Sequence, residues 1–447
     1  MIRTFKTLLF LITMLSFLLS CSAENNEIFF GDKGSRNKIL VISDIHLGAD
    51  PSYTECLDHA PRLIQFLKEV RKSSDIKELV IAGDLVDEWY VPARVNTYGG
   101  GTQKDFIKKI AANNQEIFEC FNGIIKDKKI KVTYIPGNHD LGITPESIEE
   151  LMPGVNQARY PGKPGIGTYY PDGYPEIAIE HAHRFDFFCS LDPYSNQDEA
   201  PGTVMPVGYF YSRIAVNSVT NYPSNPADIV HPRLAVNNFP GDQEQDALEI
   251  YAKMWYYILN YQIPIKDNHD EKMIVTNIEK FTKNYSVNDV VPYNNPETGR
   301  IETKLYNGFT KQSVWDKRSD YNLMYAKTEV KSAINGSNDN NYVDDHAQRN
   351  FFNNPNSPVR IVVFGHTHEA KIKTYNNIAG KECVYANSGT WVDAYKKAGK
   401  ALPDQDVKFM DFVLIQPDET NPKKVKVELY NYRRGKHNIV DSKEIEL

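Results

Sequence analysis

"IKVTYIPGNHD", Ile130 to Asp140, decides how the chain is read. Its first half is a short run of β-branched and aromatic residues, the pattern of a buried strand. Its second half turns at Pro136 and Gly137 and sets down Asn138, His139 and Asp140. Three other stretches repeat the form. "KILVISDIH" (Lys38–His46) ends on Asp44 and His46, "ELVIAGDLVDEW" (Glu78–Trp89) delivers Asp84, and "VRIVVFGHTH" (Val359–His368) delivers His366 and His368. In open α/β sheets, ligands gather at the carboxyl ends of the strands. Four polar clusters, each directly after an apolar run, therefore point to one shared site. Carboxylate, carboxamide and imidazole without thiolate suit divalent transition ions. Glycines at 83, 137 and 365 allow tight backbone turns beside them.

Helical patterns fill the gaps between the strands. "APRLIQFLKEVRK" (Ala60–Lys72) places Leu63, Ile64, Leu67 and Val70 on one face. "DFIKKIAANNQEIFECFNGIIKD" (Asp105–Asp127) carries Phe106, Ile107, Ile110, Ile117, Phe121 and Ile124 at helical spacing. Strands alternating with helices predict an α/β class with helical layers. The rhythm breaks near Leu191. Residues 191–355 hold 14 of the chain's 27 tyrosines and read as a mostly helical insertion or cap. A helix is expected from near Pro206, others in "DALEIYAKMWYYILNYQ" (Asp246–Gln262) and "KQSVWDKRSDYNLMYAKTEVKSAI" (Lys311–Ile334), and a loop at "INGSNDNNYVDD" (Ile334–Asp345). The strand pattern returns at Val359, and Asp411–Arg433 reads as two strands around a polar turn. The core is thus 38–190 and 356–447.

The ends and the charge narrow the setting. Arg3 and Lys6 precede an apolar stretch from Leu8 to Leu19, and "LLSC" closes on Cys21. The run is too short for a comfortable membrane span and has the layout of an export signal. Its ending resembles a bacterial lipobox, which implies removal of residues 1–20, lipidation of Cys21, a tether over 21–37, and a lipid-anchored place in the cell envelope, periplasmic or surface-exposed. Without the signal the formal charge moves from −7 to −9. An acidic chain without a basic stripe argues against general nucleic-acid binding. Cys56, Cys120, Cys189 and Cys383 show no CxxC spacing, and their positions select no disulfide pairing.

Taken in order, the DxH, GDxxD, GNHD and GHxH clusters resemble the calcineurin-like metallophosphoesterase superfamily. The resemblance covers residues 38–190 and 356–447. It implies a double β-sandwich flanked by helices, four layers deep (α/β/β/α), and two divalent metal ions (Mn, Fe or Zn). Asp44, His46 and His368 would hold one ion. Asn138, His366 and a further histidine would hold the other, with Asp84 bridging. The mechanism implied is attack on phosphorus by hydroxide generated at the ion pair, with His139 as general acid and Asp140 orienting it. Asp87 and Glu88 are expected around the ligands or facing solvent. "GDLVDEW" and "GNHD" depart from the "GDxxDRG" and "GNHE" of the protein Ser/Thr phosphatases. Leu85-Val86-Asp87 also lacks the tyrosine ligand of purple acid phosphatases.

The further histidine lies between Asn138 and His366. His181, His183, His231, His269 and His346 are available, and only the first two follow an apolar strand, "AIE". "EHAHRFD" resembles the bacterial segment whose first histidine is the ligand, which selects His181. His183, with Arg184, is expected near substrate phosphate or bracing a loop, and Arg213 in the insertion as a phosphate contact. UDP-2,3-diacylglucosamine pyrophosphohydrolases of the same superfamily carry helical insertions at this point. The expected function is hydrolysis of a phosphate ester, a diester or pyrophosphate in preference to a monoester. The expected substrate is a small molecule or lipid-linked compound. The alternatives are an exported nuclease and a catalytically idle ligand-binding lipoprotein.

Overall fold

A computed structural model describes residues 29, 36–221, 242–263, 268–337, 339–393, 410–433 and 435–447. The expected signal, Cys21, most of the tether and His231 lie outside the described residues.

The chain lays down two sheets. β1 (Lys38–Ile42), β2 (Ile76–Ala82), β3 (Lys131–Ile135) and β4 (Asn156–Gln157) run parallel in the first. β5 (Ile177–Glu180) opens the second. Two small ladders follow, β6 (Ile274–Val275) with β7 (Asn284–Tyr285) and β8 (Tyr293–Asn294) with β9 (Ile301–Glu302). β10 (Ile361–Phe364) then lies parallel to β5, and β11 (Lys371–Asn376) and β12 (Glu382–Asn387) complete a four-stranded sheet of order β11-β12-β10-β5. The chain returns through β13 (Asp411–Pro417), β14 (Lys424–Arg433) and β15 (Lys436–Glu446), giving a seven-stranded sheet of order β15-β14-β13-β1-β2-β3-β4. The sequence pattern anticipated β13 and β14. β15 escaped it because its residues alternate weakly and are mostly exposed.

The two sheets face each other across a seam built from Ile39, Val41, Val80, Ala82, Ile177, Ile179, Ile361 and Val363. Alternate residues of the same strands point the other way, which is why these runs read as continuously apolar. Leu40, Ile42, Leu79 and Ile81 pack under α1 (Ala60–Lys72), α2 (Gln103–Asn113) and α3 (Gln115–Asp127). In α1 the buried face is Leu63, Phe66, Leu67 and Val70, with Ile64 only partly covered. The stretch 105–127 divides into two helices at Asn114. Its backbone leaves the helical region there, and its amide donates to the carbonyls of Gly48 and Ile110. α4 (Pro145–Leu151) closes this side.

The outer face of the second sheet is covered by the segment expected as the insertion. α5 (Gly208–Asn221), α6 (Gln243–Tyr257), the short α7 (Val287–Val290), α8 (Gln312–Tyr321), α9 (Val330–Gly336) and α10 (Asn340–Ala347) belong to it. Ala178, Val362, Phe364 and Tyr385 of the sheet share one apolar cluster with Phe185, Phe187, Tyr251, Trp315 and Phe351. These helices therefore form the fourth layer of an α/β/β/α arrangement, and stripping them would expose the sheet. The loop expected at Ile334–Asp345 contains the start of α10, which is capped by the Asp339 side chain accepting from the Asn341 N–H. Polar composition hid that helix, since its asparagines and aspartates also favour turns. The four cysteines after Cys21 are all free thiols.

Candidate metal centre

Five parallel strands, three from one sheet and two from the other, release the chain at the same place. β1 leads to Asp44 and His46, β2 to Asp84, β3 to Asn138 and His139, β5 to His181, and β10 to His366 and His368. Asp44, His46, Asp84, His366 and His368 all have positive φ, between 51° and 71°. Non-glycine residues in this region cost of order 1–3 kcal/mol each and cluster where function requires them. The strain is coupled to close packing. A side chain at Gly137 would put its Cβ 2.1 Å from Asp84 Oδ1, and one at Gly83 would meet the His181 ring at 2.4 Å.

Asp44 and Asp84 are buried at the centre. His368 Nε2 lies 3.1 Å from Asp44 Oδ1, and His46 Nε2 lies 3.9 Å from it. His46 Nε2 is also 3.5 Å from Asp84 Oδ2, yet has no hydrogen-bond partner. His181 Nδ1 donates to the Ala82 carbonyl at 2.9 Å, which turns Nε2 to Asn138 Oδ1 at 3.0 Å and Asp84 Oδ2 at 3.1 Å. Asp44, His46 and His368 form one set of converging donors, and Asp44, Asp84 and His181 form another. His366 approaches through its backbone, whose N–H donates to Asp44 Oδ2 at 3.0 Å. Its Nε2 faces Asp186 Oδ2 at 3.2 Å, and these two residues form a third group of possible ligand atoms with Cys189.

The field of the site is negative. Burial would push the Asp44 carboxyl up, but His368 and His181 outweigh it and hold it below the carboxylate range. Burial would lower His181, yet the carboxylates of Asp84 and Asp44 push it up to about 9. An orphaned buried imidazole nitrogen between two carboxylates, in a field that raises histidine pKa, fits divalent cations held by oxygen and imidazole.

Asp87 takes the place expected for Asp140. Its Oδ2 accepts from His46 Nδ1 at 2.7 Å and from His139 Nδ1 at 2.8 Å, while Oδ1 accepts the N–H groups of Trp89 and Tyr90. His139 is oriented by this carboxylate and by Trp89, whose ring centroid lies 4.9 Å away. Asp140 instead accepts the N–H groups of Gly137 and Leu85, and so ties the turn after β3 to the turn after β2. Burial and the Asp84 charge lift its carboxyl to about 6. Glu88 is fully buried rather than solvent-facing, and accepts from Tyr98 Oη at 2.7 Å.

The three expected substrate contacts are corrected by their burial. His183 is 2% exposed, and its ring nitrogens make no hydrogen bond of standard geometry. Burial, then the charges of His181 and His366, keep it well below the usual histidine range, so it packs as a neutral ring behind the centre. Arg184 pairs with Glu180 and donates to the carbonyls of Asn322 and Leu323. The Arg213 guanidinium donates to the carbonyls of Val91, Pro92, Ala93, Val95 and Val275 and to Thr97. These arginines bind the helical layer to the core. Sequence reasoning did not single out Asp186, and it placed Asp87 around the ligands or facing solvent without assigning it His139. Each stands close to a cluster, Asp186 three residues after His183 and Asp87 three after Asp84, but their partners His366 and His139 are distant in the chain.

Residues 37–208 match the model of the calcineurin-like phosphoesterase family. The family is one of phosphoesterases, and this chain has candidate metal ligands in place. Among curated proteins it is similar to the DNA polymerase II small subunit of Methanothermobacter thermautotrophicus, 32% identical over 159 residues. That match takes in 33% of this chain and 31% of the relative, so the chain spans about a third of that protein's length. No described helix is long and apolar enough to cross a membrane.

Proposed function

We propose that this chain is an exported, lipid-anchored phosphoesterase that uses two divalent ions and acts on a phosphodiester in preference to a monoester. The observation that carries the catalytic part is the convergence of Asp44, His46, Asp84, Asn138, His181, His366 and His368 beside an open cavity of about 270 Å³. Asp44, His46 and His368 would hold one ion, Asn138, His181 and His366 the other, and Asp84 both. When bound, such ions make water a stronger nucleophile at neutral pH and neutralise charge on the phosphate oxygens.

The remaining work falls to the chain. His139 lines the cavity, and although burial lowers its pKa, the Asp87 carboxylate reverses this and raises it above the ordinary value. It is therefore suited to hand a proton from Nε2 to the leaving oxygen. Asp87 holds Nδ1 and so keeps Nε2 aimed at the cavity. Asp186 positions His366 in the same way. Export and lipidation rest on the Arg3, Lys6, Leu8–Leu19 and Cys21 pattern. The acidic charge weighs against the nuclease alternative.

Hydrolysis of bis-p-nitrophenyl phosphate with Mn²⁺ tests this reading. Turnover lost in Asp84→Asn is the expected result. An absence of turnover of any phosphate ester with Mn²⁺, Fe²⁺ or Zn²⁺ refutes it, and the idle binding protein then becomes the better account. Digestion of DNA or RNA under the same conditions would favour the nuclease.

A further inference from the structure

The cavity beside the metal residues has two unlike walls. One is the polar edge made by Asp84, Asn138, His139, His366 and His368. The other is apolar and comes largely from the helical layer: Phe188, Tyr211, Met254, Trp255 and Ile258, with Trp89 at the junction. Trp89 and Trp255 are almost completely buried, so this wall is held rigidly by packing. Among the described residues, no lysine or arginine lines the cavity. Arg213, on the same helix as Tyr211, has its guanidinium engaged by backbone carbonyls. Beyond the charge that the metal residues gather, a second phosphate would find no cation among the described residues of this cavity. An apolar group would find aromatic and thioether surface at van der Waals reach.

We infer that the substrate is a phosphate ester with a single phosphorus whose non-leaving organic group is compact and apolar, seated against Met254, Trp255 and Ile258. This rests on the phosphoesterase reading above and narrows it, setting pyrophosphates and nucleoside polyphosphates aside. The cavity, about 270 Å³, is at the small end of ligand clefts, ~300–1,000 Å³, which favours a ring or short branched group over a long polar chain. Hydrolysis breaks one P–O bond. The oxygen of water joins phosphorus, and a proton ends on the leaving oxygen. The organic group that stays on phosphorus sets specificity without taking part.

The test uses two diesters with the same leaving group, p-nitrophenyl methyl phosphate and p-nitrophenyl cyclohexyl phosphate, on the whole protein with Mn²⁺. Burial of the ring predicts a kcat/KM for the cyclohexyl ester ~10-fold or more above that of the methyl ester. Trp255→Ala and Met254→Gln should each bring that ratio down by most of its excess. Met254 is partly exposed, so its substitution reports on the wall even if Trp255→Ala fails to fold. Equal kcat/KM for the two esters overturns the inference, and so does a ratio that Met254→Gln leaves unchanged. Hydrolysis of neither ester with any of the three metals overturns the phosphoesterase reading and this inference with it.

Discussion

Replacing Asp87 by asparagine tests how the centre is held together. The carboxylate of Asp87 accepts four N–H groups at 2.7–2.8 Å: His46 and His139 on one oxygen, and the backbone of Trp89 and Tyr90 on the other. Asparagine keeps one acceptor oxygen and presents an NH₂ group in place of the second. If the oxygen faces the backbone, the NH₂ faces both imidazoles. They can then pair only by moving their protons from Nδ1 to Nε2, which removes the His46 lone pair from the centre. Loss of such an outer hydrogen bond typically costs 10–100-fold in metal affinity, on the order of that range here. If the oxygen faces the imidazoles, two buried backbone donors are orphaned at about 1–3 kcal/mol each, about 2–6 kcal/mol together. Mn²⁺ titration by calorimetry and urea unfolding of the metal-free protein distinguish the two cases. Asp87→Asn is expected to fail in at least one of them, and to lower turnover of bis-p-nitrophenyl phosphate in both. A variant with parental Mn²⁺ affinity and parental unfolding midpoint would refute the reasoning.

Other outcomes follow from the same contacts. His139→Asn should lower kcat about 10²–10⁴-fold for esters with an alkoxide leaving group, and far less for p-nitrophenolate, which leaves without a proton; equal losses on both would argue against a proton donor. Burial pushes the Glu88 carboxyl up to about 8 from an ordinary 4.5, so the folded state holds its proton more tightly than the unfolded chain. That contribution is fully present below pH ~4.5 and is lost as pH rises through ~8, so Glu88→Gln should be about 3 kcal/mol more stable than the parent at pH 7 and similar to it at pH 4. Urea midpoints across this range check it, and a pH-independent difference would contradict it. Arg213→Met removes five hydrogen bonds to carbonyl oxygens; those of Pro92 and Ala93 keep backbone N–H partners, and those of Val91, Val95 and Val275 lose the guanidinium at about 1–3 kcal/mol each, so a loss of roughly 3–9 kcal/mol in unfolding free energy is expected. A thermal shift within error of the parent would show that the guanidinium is not structural.

Strand runs such as "KILVI" and "IKVTYI" are short, apolar and β-branched, and buried strands need little else, so the strands of the core were readable from them, while their division into two facing sheets was expected only from the resemblance. The helix division at Asn114 was not, because it depends on an amide reaching Gly48, 66 residues away. Arg184 and Arg213 misled for a related reason. Arginine near a phosphoesterase motif suggests phosphate, but both are buried in the contact between the helical layer and the core and satisfied by Glu180 and by carbonyl oxygens. Asp140 stands directly beside His139 in the chain, yet it is Asp87 that reaches the ring, since the turn after β3 directs successive side chains to different partners.

By itself the sequence determined which residue types would meet. Each cluster follows its own apolar run, and the ends of parallel strands are the places where such clusters can converge. Only the tertiary structure decided how they divide the work. His181 and His183 lie two residues apart, but the left-handed backbone of Ala182 between them, φ 81°, sends one ring to Asp84 and Asn138 and leaves the other packed behind it. The apolar wall that Met254, Trp255 and Ile258 set against the metal residues likewise depends on how the helical layer docks on the second sheet. That docking buries one apolar surface against another, and local periodicity carries no information about which surfaces will meet.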